Sequence, residues 1–439
     1  MLKMKRALAL SALLANILIV YLIWWSGSKM LFAIGASGMF IAFGRLSGLM
    51  LEVSFMFMLV LIARIPWIEQ LWGHDKLNKF HRWVGFTTLI GLITHPLFLA
   101  IGYSAGRDIS ILGQLLDFTT HWDDVAAAAG GVVLLILVIL ISTPFVRKHL
   151  AYESWHIPHL FTYAAILLAF EHQTAFGDFA GRPAAIAYWY AFNYSVFALL
   201  VWYRFLRPIY YSYKHNLIVS KIVKETPLVS SIYITGKKLN EFKFQAGQFA
   251  NLFFLQKGLV SPHPLSFSCA PNGEYLRFSA RASGDFTSKI DMLKIGTKVI
   301  IDGPLGTFTE KFSERSKYLL IAGGIGITPI YSLAESLAKK KSDVIIFYAS
   351  KNIEEICFLK EIEQLPFICN CVLSNQGDKC AIPHENGRID MEKIKRLAPD
   401  YNDREIYVCG PKTMILSLKE QLKTAKYNLK HLHYELFAF

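Results

Sequence analysis

The chain has 439 residues, a formal net charge of +13 at pH 7 and a mean hydropathy of +0.35. This length allows two or three domains, and the positive mean hydropathy excludes a chain that is soluble throughout. Much of the positive charge lies beside long apolar runs, which argues against a nucleic-acid-binding face. The six cysteines form no CxxC pair, so their spacing fits a reducing compartment better than a disulfide framework or a zinc site.

Six apolar segments in the first half are each near the ~20 residues that a helix needs to cross a membrane. They are residues 7–25, 43–63, 82–103, 125–145, 157–176 and 184–205. Basic side chains concentrate at the N-terminus and in the loops after the second, fourth and sixth segments. Because positive charge marks the cytoplasmic side, we expect an integral cell-membrane protein, surrounded by lipid, with its N-terminus and its soluble half in the cytoplasm.

The soluble half changes its pattern near residue 312. Residues 215–308 contain short β-type runs separated by turn residues, which predicts a small antiparallel β-barrel. Residues 317–439 alternate strand-like and helix-like runs, which predicts an α/β Rossmann-like domain with a parallel sheet. The sequence therefore predicts a multidomain protein with a six-helix transmembrane bundle at 1–210, a barrel at 211–311 and a nucleotide domain at 312–439.

Four histidines lie inside predicted spans, where ionisable side chains are costly and usually functional. His81 and His95 are fourteen residues apart on the third span, which returns them to nearly one face at a separation of about 21 Å. His159 and His172 are thirteen apart on the fifth span, which leaves an angular mismatch of roughly 140° on an ideal helix. A single membrane histidine more often packs helices than binds haem, but four at matched depths favour ligation. His156 is an alternative to His159.

Both histidine-bearing spans run in the same direction, so the residues should pair by depth. His81 should lie at the cytoplasmic depth of His159, and His95 at the outer depth of His172. Imidazole is a common axial ligand of haem iron. We therefore expect two bis-histidine haems, one above the other.

Several of these segments resemble the ferric-reductase and NADPH oxidase transmembrane family. They are HRWVG, the THP fourteen residues after its histidine, and HL followed by a histidine thirteen residues later. The resemblance implies haem ligation by the four histidines, and it places Arg45 near the outer haem. It places Arg64 near the propionates of the inner haem, where the side chain would equally serve as an interfacial charge. Leu99 stands where eukaryotic oxidases carry another histidine, a departure that bears on oxygen handling.

Three segments of the soluble half resemble, in order, the flavin-binding elements of the ferredoxin-reductase superfamily. They are GQF (247–249), HPLSFSCAP (263–271) and FSARASGDFT (278–287). The resemblance implies bound FAD and assigns to it His263, Pro264, Leu265, Ser266, Arg281, Gly284, Phe286 and Thr287. Within this set Ser266 would give a hydroxyl to the isoalloxazine, and Arg281 would fork onto the pyrophosphate oxygens. Without the resemblance, Arg281 is a surface cation and HPLSFS a strand after a turn.

AGGIGITP (322–329) follows a strand-like run and precedes a helix-like run, a context in which glycines let the backbone approach a pyrophosphate. CGP (409–411) resembles the family element that places Cys409 beside the nicotinamide, although a buried strand-end residue is the commoner role of cysteine. The residues predicted to bind the nucleotide are Gly323, Gly324, Gly326, Thr328, Pro329, Ser350, Lys351, Arg388, Gly410 and Pro411. Lys351 and Arg388 favour NADPH, and we expect NADH to be tolerated.

The last residue, Phe439, follows the strand-like run HLHYELFAF. In the resembled family a terminal aromatic side chain covers the flavin until nicotinamide displaces it. The pattern alone fits an ordinary C-terminal strand equally well. We expect Phe439 to act with Arg45 and Cys409 in the reaction.

These assignments together predict an NAD(P)H oxidase. Hydride would pass from NADPH or NADH to FAD, and single electrons would pass through two haems to extracytoplasmic dioxygen, giving superoxide. Alternatives are reduction of ferric or cupric chelates, electron donation to an extracytoplasmic protein, and a haem-binding sensor or proton channel. Residues that keep metal reduction open are Asp117, His121, Asp123 and Asp124. No obligatory protein partner is evident from the sequence.

Overall fold

The computed structural model describes residues 2–122, 124–150, 152–284, 286–375 and 384–436. The chain forms two compact units. The first, which we call the helical unit, contains Met1–Ile65 and Asp75–Val201. The second, which we call the sheet unit, contains Pro66–His74 and Trp202–Phe439. The boundaries predicted near 210 and 311 stay predictions, and the grouping of Pro66–His74 with the sheet unit was not anticipated.

Helices account for the helical unit and for the crossovers of the sheet unit. In chain order they are α1 (Leu2–Ser28), α2 (Ala36–Ile62), α3 (Pro66–Trp72), α4 (His74–Ser104), α5 (Ile111–His121), α6 (Val125–Ser142), α7 (Pro144–Arg147), α8 (Tyr152–His159), α9 (Phe161–Leu168), α10 (His172–Ala175), α11 (Pro183–Leu200), α12 (Arg207–His215), α13 (Ile327–Lys339), α14 (Leu359–Glu363), α15 (Met391–Leu397) and α16 (Lys412–Thr424). A π-helical segment, Val201–Leu206, joins α11 to α12.

Within the described ranges, five helical stretches are long and apolar enough to cross a membrane. They are Met4–Ile34, Ala36–Ile62, Lys76–Ser104, Val125–Ser142 and Pro183–His215. The predicted span at 157–176 is divided among α8, α9 and α10, so the count of six is not confirmed. Pro158 explains the first break, because a proline inside a helix removes one hydrogen bond and its ring disturbs the preceding turn.

The core of the helical unit is formed by apolar side chains of α1, α2 and α11 with the segment around Phe179. Its buried members are Val20, Ile23, Trp24, Ala42, Leu49, Val53, Phe170, Phe179 and Trp189. Many large apolar side chains point outward instead, among them Leu14, Phe86 and Leu137. An outer surface of this kind suits contact with lipid, since burial in hydrocarbon replaces burial in a protein core.

The sheet unit contains twelve strands within its described residues. In chain order they are β1 (Ile218–Thr226), β2 (Val229–Thr235), β3 (Phe249–Phe254), β4 (His263–Ser266), β5 (Leu276–Arg281), β6 (Val299–Leu305), β7 (Lys317–Gly323), β8 (Asp343–Ser350), β9 (Ile368–Leu373), β10 (Glu385–Asn386), β11 (Glu405–Gly410) and β12 (Leu432–Leu436). The first six form two antiparallel sheets, ordered β1-β2-β5 and β4-β3-β6. Antiparallel pairing is as predicted, whereas closure into a barrel is not confirmed.

The last six strands form one parallel sheet in the order β10-β9-β8-β7-β11-β12. After β7, the strands β8, β9 and β10 are added in turn on one side of it, and β11 and β12 then lie on the other side. In open parallel sheets, ligands bind beyond the carboxyl ends of the strands where the order reverses in this way. The topology therefore draws attention to the ends of β7 and β11.

Candidate functional site

Two pairs of histidine rings face each other in the helical unit. The ring centroids of His81 and His159 are 6.4 Å apart, and those of His95 and His172 are 6.2 Å apart. These are the pairs that matching by depth predicts, and the breaks between α8 and α10 absorb the angular mismatch of a continuous helix. Metal–imidazole bonds of about 2.0–2.1 Å on both sides of one ion would separate two ring centroids by about 6 Å. Each pair is therefore spaced for one metal between its rings.

The backbone of α2 orients the His95 ring. Its Nδ1 lies 2.8 Å from the carbonyl oxygen of Gly44, and since a carbonyl only accepts, Nδ1 must carry the proton. Nε2 is then the unprotonated nitrogen, which is the one that a metal binds. Gly48 leaves room for the ring, because a Cβ at that position would lie 2.5 Å from Nδ1. This part of α2 thus fits ligation by His95.

The other three rings differ in how their Nδ1 atoms are satisfied. Nδ1 of His159 lies 3.1 Å from the hydroxyl of Ser142, which also accepts a hydrogen bond from the Trp155 indole. The buried Nδ1 atoms of His81 and His172 make no well-formed hydrogen bond within the described residues. Those residues also contain no cluster of three or more His, Cys, Asp or Glu that could hold a bare metal ion. Two imidazoles at one position are a ligand set that haem iron accepts.

A polar cluster surrounds Arg45, the residue after Gly44. Arg45 donates to the Tyr103 hydroxyl at 3.4 Å, and its Nη1 lies 3.6 Å from a carboxylate oxygen of Asp178. Asp178 also accepts a hydrogen bond of 2.7 Å from Ser28. The sequence analysis identified Arg45 but not Asp178, although an acidic residue in a short loop between apolar segments was a usable signal.

Two further ionisable side chains belong to this region: Glu52 lies within α2, and Arg64 lies just after its end. Arg64 is half-buried just after α2, with a left-handed backbone at φ 58°. Glu52, which the sequence analysis missed, is buried and accepts a hydrogen bond of 3.1 Å from Gln173. Gln173 in turn accepts one of 2.7 Å from the Trp189 indole. This chain of hydrogen bonds fixes the residue that follows His172.

The flavin motif places its residues along β4, β5 and the loop after β5. The hydroxyl of Ser266 is buried without a hydrogen-bond partner among the described residues, so it is available to a ligand. The ring of His263 stacks on Phe286 with centroids 3.4 Å apart. Pro264 and Leu265 follow in the same strand, which pairs with β3. The register of β4 with β3 places Ser266 opposite Phe249, so two of the three flavin segments meet at this buried, unpaired hydroxyl.

The residues predicted to bind the pyrophosphate of FAD contact other protein groups in this structure. Arg281 forms an ion pair with Glu355 at 3.0 Å. The hydroxyl of Thr287 accepts hydrogen bonds of 3.0 Å from the amides of Ser283 and Gly284. Phosphate binding by these groups would therefore require exchange of the Glu355 partner, a cost that the sequence did not reveal.

The glycine loop and CGP meet where the order of the parallel sheet reverses. Register pairs Cys409 with Ala322, directly before the glycines. A Cβ at Gly326 would clash with the Cys409 carbonyl, and Gly324 has a φ of +53°. A Cβ at Gly323 would lie 2.9 Å from Pro411. Gly323 and Gly326 leave no room for a side chain, and Gly324 adopts a backbone conformation that favours glycine. Together the three glycines bring the N-terminus of α13 beside the end of β11, as nucleotide binding requires.

Cys409 itself is completely buried, and burial raises the pKa of its thiol well above the usual value. The thiol is therefore neutral at pH 7 and packs as an apolar group. The register of β11 with β12 places Glu435 opposite Cys409. The sequence analysis missed Glu435, because its neighbour is set by strand pairing and not by spacing along the chain.

The remaining residues predicted to bind the nucleotide differ in whether their side chains are open to a ligand. Ser350, at the end of β8, has a buried hydroxyl without a partner among the described residues, so it is open to a ligand. Thr328 instead donates its hydroxyl to Ile325, and Pro329 is buried within α13. Lys351 is exposed beside Ser350, whereas Arg388 is exposed after β10, two strands away from β8. Phe439 lies outside the described residues.

The sheet unit also holds a buried carboxylate in the segment between α2 and α4. Glu69 accepts a hydrogen bond of 3.0 Å from the amide of Gly306, and His74 packs against Phe249 of the GQF motif with ring centroids 5.9 Å apart. The sequence analysis treated this segment as a loop between spans. Its acidic residue within a short apolar helix, PWIEQLW, was the available signal.

Comparison with known proteins identifies two domains. Residues 43–170 match the family described as ferric reductase like transmembrane component, and residues 320–420 match the oxidoreductase NAD-binding domain. The first match agrees with the ferric-reductase part of the resemblance over residues 43–170, and with the five long apolar helices it indicates an integral membrane protein. The second match confirms that the parallel-sheet domain is one that binds a nicotinamide nucleotide.

Individual relatives resemble about half of the chain. The glycine betaine monooxygenase reductase subunit of Chromohalobacter salexigens is 24% identical over 237 residues, covering 51% of this chain and 64% of that protein. The flavohemoprotein of Oceanobacillus iheyensis is 28% identical over 242 residues, covering 50% of this chain and 58% of that protein. The chain thus spans less than two thirds of either relative. The FAD/NAD-binding domain of nitric oxide dioxygenase from Vibrio cholerae superimposes with a TM-score of 0.44 at 23% identity, covering 50% of this chain and 98% of that domain.

Proposed function

We propose that this protein, which joins a ferric-reductase-like transmembrane domain to an oxidoreductase NAD-binding domain, oxidises NADPH or NADH and delivers the electrons to dioxygen, forming superoxide. FAD and two haems would be its bound cofactors. The observation that supports this most directly is the spacing of the histidine pairs, His81 with His159 and His95 with His172, at 6.4 Å and 6.2 Å. Two such pairs along α4 favour transfer through the helical unit over a site that acts on one face only.

On the nucleotide side, the residues of the sheet reversal bind and orient the substrate. The amides of Gly324 and Gly326, at the N-terminus of α13, face the pyrophosphate, where the helix dipole favours an anion. The apolar Cys409 thiol, which is covered in this structure, would contact the nicotinamide once the groups over it moved aside, and the Ser350 hydroxyl has no partner among the described residues and is open to a ribose. Lys351 adds a cation for a 2′-phosphate, and the distance in strand order makes Arg388 the weaker candidate.

On the flavin side, the Ser266 hydroxyl would hydrogen-bond the isoalloxazine, and the residues of β4 would hold the flavin. FAD when bound accepts two electrons together and releases them singly, and each haem iron carries one at a time. Arg281 would exchange Glu355 for the pyrophosphate of FAD, since both are anionic partners for one guanidinium. Phe439 is retained as the proposed cover of the flavin ring.

On the acceptor side, the residues of the helical unit position the last electron transfer. Gly44 fixes the tautomer of His95 through its carbonyl, which leaves Nε2 as the nitrogen that would bind the haem iron. Arg45 then presents a cation beside the outer pair, where it stabilises the negative charge that superoxide acquires. Arg64 would serve the propionates of the inner pair. The basic loops favour an orientation with the sheet unit in the cytoplasm.

The decisive experiment is anaerobic stopped-flow mixing of the purified, haem- and FAD-loaded chain with NADPH, followed by a second mixing with oxygenated buffer. We expect flavin bleaching, then reduction of two low-spin haems per chain, then reoxidation by oxygen with superoxide-dismutase-sensitive reduction of cytochrome c. Absence of iron after expression with ample haem would contradict the proposal. So would haem bands that NADPH leaves oxidised.

Ferric chelate reduction is the second candidate, because residues 43–170 match a ferric-reductase-like domain. One of the acidic residues that made this function possible already contacts basic side chains of the protein. Asp117 contacts His121 at 3.1 Å and Arg107 at 3.8 Å, and Asp123 lies outside the described residues. Competition between oxygen and ferric citrate for the reduced protein distinguishes the two candidates, since the preferred acceptor suppresses reduction of the other.

A further inference from the structure

We propose that Asp178 sets the charge of the acceptor site by compensating Arg45, so that the site takes a neutral acceptor in preference to an anionic metal chelate. This inference rests on the proposed function and adds the charge class of the acceptor. It concerns an ion pair that the sequence analysis did not foresee.

Asp178 is held firmly in place. It lies in the short turn Gly177–Phe179 between α10 and α11, and only 3% of it is exposed. Ser28 donates to its carboxylate at 2.7 Å, and a Cβ at Gly27 would lie 2.5 Å from the same oxygen. Because α1 packs this closely on the carboxylate, the charge cannot swing away from the site.

The guanidinium of Arg45 is held by two partners, and part of the side chain stays exposed. The guanidinium lies 3.6 Å from Asp178 and donates to the Tyr103 hydroxyl at 3.4 Å. The Tyr103 ring is itself packed on Phe118 and Trp122, with centroids 5.7 Å and 5.4 Å away. About 22% of the Arg45 side chain stays exposed. A small acceptor can therefore reach this cation next to the residue that holds His95.

The second nearby cation has a different role. Arg182 donates to the carbonyls of Ile23 and Asp178, at 3.0 Å and 3.1 Å, and to the hydroxyl of Ser26. Its hydrogen bonds therefore tie α1 to the turn. Within the described residues, the direct contacts to the Asp178 carboxylate come from Ser28 and Arg45, and Arg182 adds only a weaker attraction through space. Arg45 and Asp178 form the compensated pair.

This pairing has a measurable consequence for acceptors of different charge. Each takes one electron: dioxygen becomes superoxide, ferricyanide becomes ferrocyanide, and hexaammineruthenium(III) becomes the ruthenium(II) complex. NADPH supplies two electrons and becomes NADP+ with release of one proton. One unit charge at ~8 Å in a water-like dielectric changes the affinity for a trivalent ion by about tenfold at low salt.

The experiment measures kcat/KM for the three acceptors with the loaded full-length chain and the variants D178N, R45Q and D178N/R45Q. D178N should raise the ferricyanide-to-ruthenium ratio at least tenfold, R45Q should lower it by a similar factor, and the double variant should return it to within threefold of wild type. D108N, which removes an exposed acidic charge from the loop after α4, should change the ratio less than twofold.

Binding without turnover gives an independent measurement. Hexacyanocobaltate(III) has the shape and charge of ferricyanide but is not reduced, so calorimetry reports its affinity alone. We expect tighter binding to D178N and weaker binding to R45Q, both reduced at high salt. Equal losses for all acceptors would assign Asp178 a purely structural role and overturn the inference, and if D178N fails to fold, an unchanged ratio in R45Q overturns it. Failure of wild type to reduce any acceptor would instead reject the proposed function.

Discussion

Polar side chains serve different purposes in the two units. In the sheet unit the most buried ions hold strands and helices together, as where Arg277 donates to both oxygens of Glu361 at 2.8 Å and 2.9 Å. In the helical unit two buried carboxylates contact residues adjacent in sequence to those that form or orient the outer histidine pair. Glu52 accepts a hydrogen bond from Gln173, next to His172, and Asp178 pairs with Arg45, next to the Gly44 that orients His95. The difference follows from the surroundings, because in hydrocarbon a polar group has no water to replace a missing partner.

This comparison shows which polar atoms point to a ligand. In the sheet unit, two of the buried hydroxyls without a partner among the described residues, those of Ser266 and Ser350, lie in the two predicted cofactor sites. In the helical unit, the corresponding atoms are ring nitrogens of His81 and His172. An unsatisfied buried group costs free energy, so a bound cofactor that paired with the Ser266 or Ser350 hydroxyl would recover that cost.

The largest effect is expected when a histidine of the outer pair is removed, because this tests whether the polar groups of the helical unit serve electron transfer. We expect His95→Leu to lower acceptor reduction at least a thousandfold, equivalent to about 4 kcal/mol, because the electron path ends at the inner pair. Flavin reduction by NADPH should stay within twofold, since the sheet unit is unchanged. Stopped-flow absorbance measures both rates. The control is His121→Leu, which replaces an exposed ring of α5, and an equal loss there would contradict the assignment.

A structural ion pair of the sheet unit should affect stability instead of electron transfer. Arg277→Met leaves Glu361 without its partner and removes the guanidinium that lies 4.4 Å from the Phe358 ring centroid. Breaking a pair with one buried member of this kind costs about 3 kcal/mol. Thermal unfolding of the full chain in detergent measures the loss. Lys224→Met, which removes an exposed partner of Asp291, should cost less than about 1 kcal/mol.

The Glu405 cluster predicts how the sheet unit responds to acid. Burial alone would raise the pKa of Glu405, but hydrogen bonds from His433, the Glu314 amide and His431 lower it to about 2. A lowered pKa stabilises the fold above the unfolded value near 4.5, and this contribution disappears as the pH falls from there to about 2. Glu405→Gln should cost about 2 kcal/mol at pH 7. Unfolding midpoints compared from pH 7 to pH 3 should converge for the variant and wild type.

The smallest effect is expected at the nicotinamide. Cys409→Ser places a hydroxyl in a fully buried position, where it packs less well against an apolar ring face. We expect flavin reduction by NADPH to slow about tenfold, equivalent to about 1.4 kcal/mol. Because burial raises the thiol pKa, the wild-type rate should not follow thiol ionisation between pH 7 and 9. A rate that rises with pH in wild type and not in the variant would contradict a packing role.

The sequence predicted most of what depends on local pattern. Glycines at 323, 324 and 326 were recognisable because their steric requirement is carried by the strand-loop-helix context itself. The depth pairing of the four histidines followed from helical rise along α4, and the structure places the rings in those pairs. The single fifth span was not recovered, since a hydropathy pattern does not register the interruption at Pro158.

By itself, then, the sequence determined the apolar segments, the order of the flavin and nucleotide motifs and the residues with chemistry to offer, because each is encoded in neighbours along the chain. Only the tertiary structure decided which distant partners those residues meet: Asp178 beside Arg45, Glu435 opposite Cys409, and Glu355 on Arg281. Such contacts depend on helix packing and strand register. A shift of one residue in either exchanges the partners while leaving the local pattern unchanged.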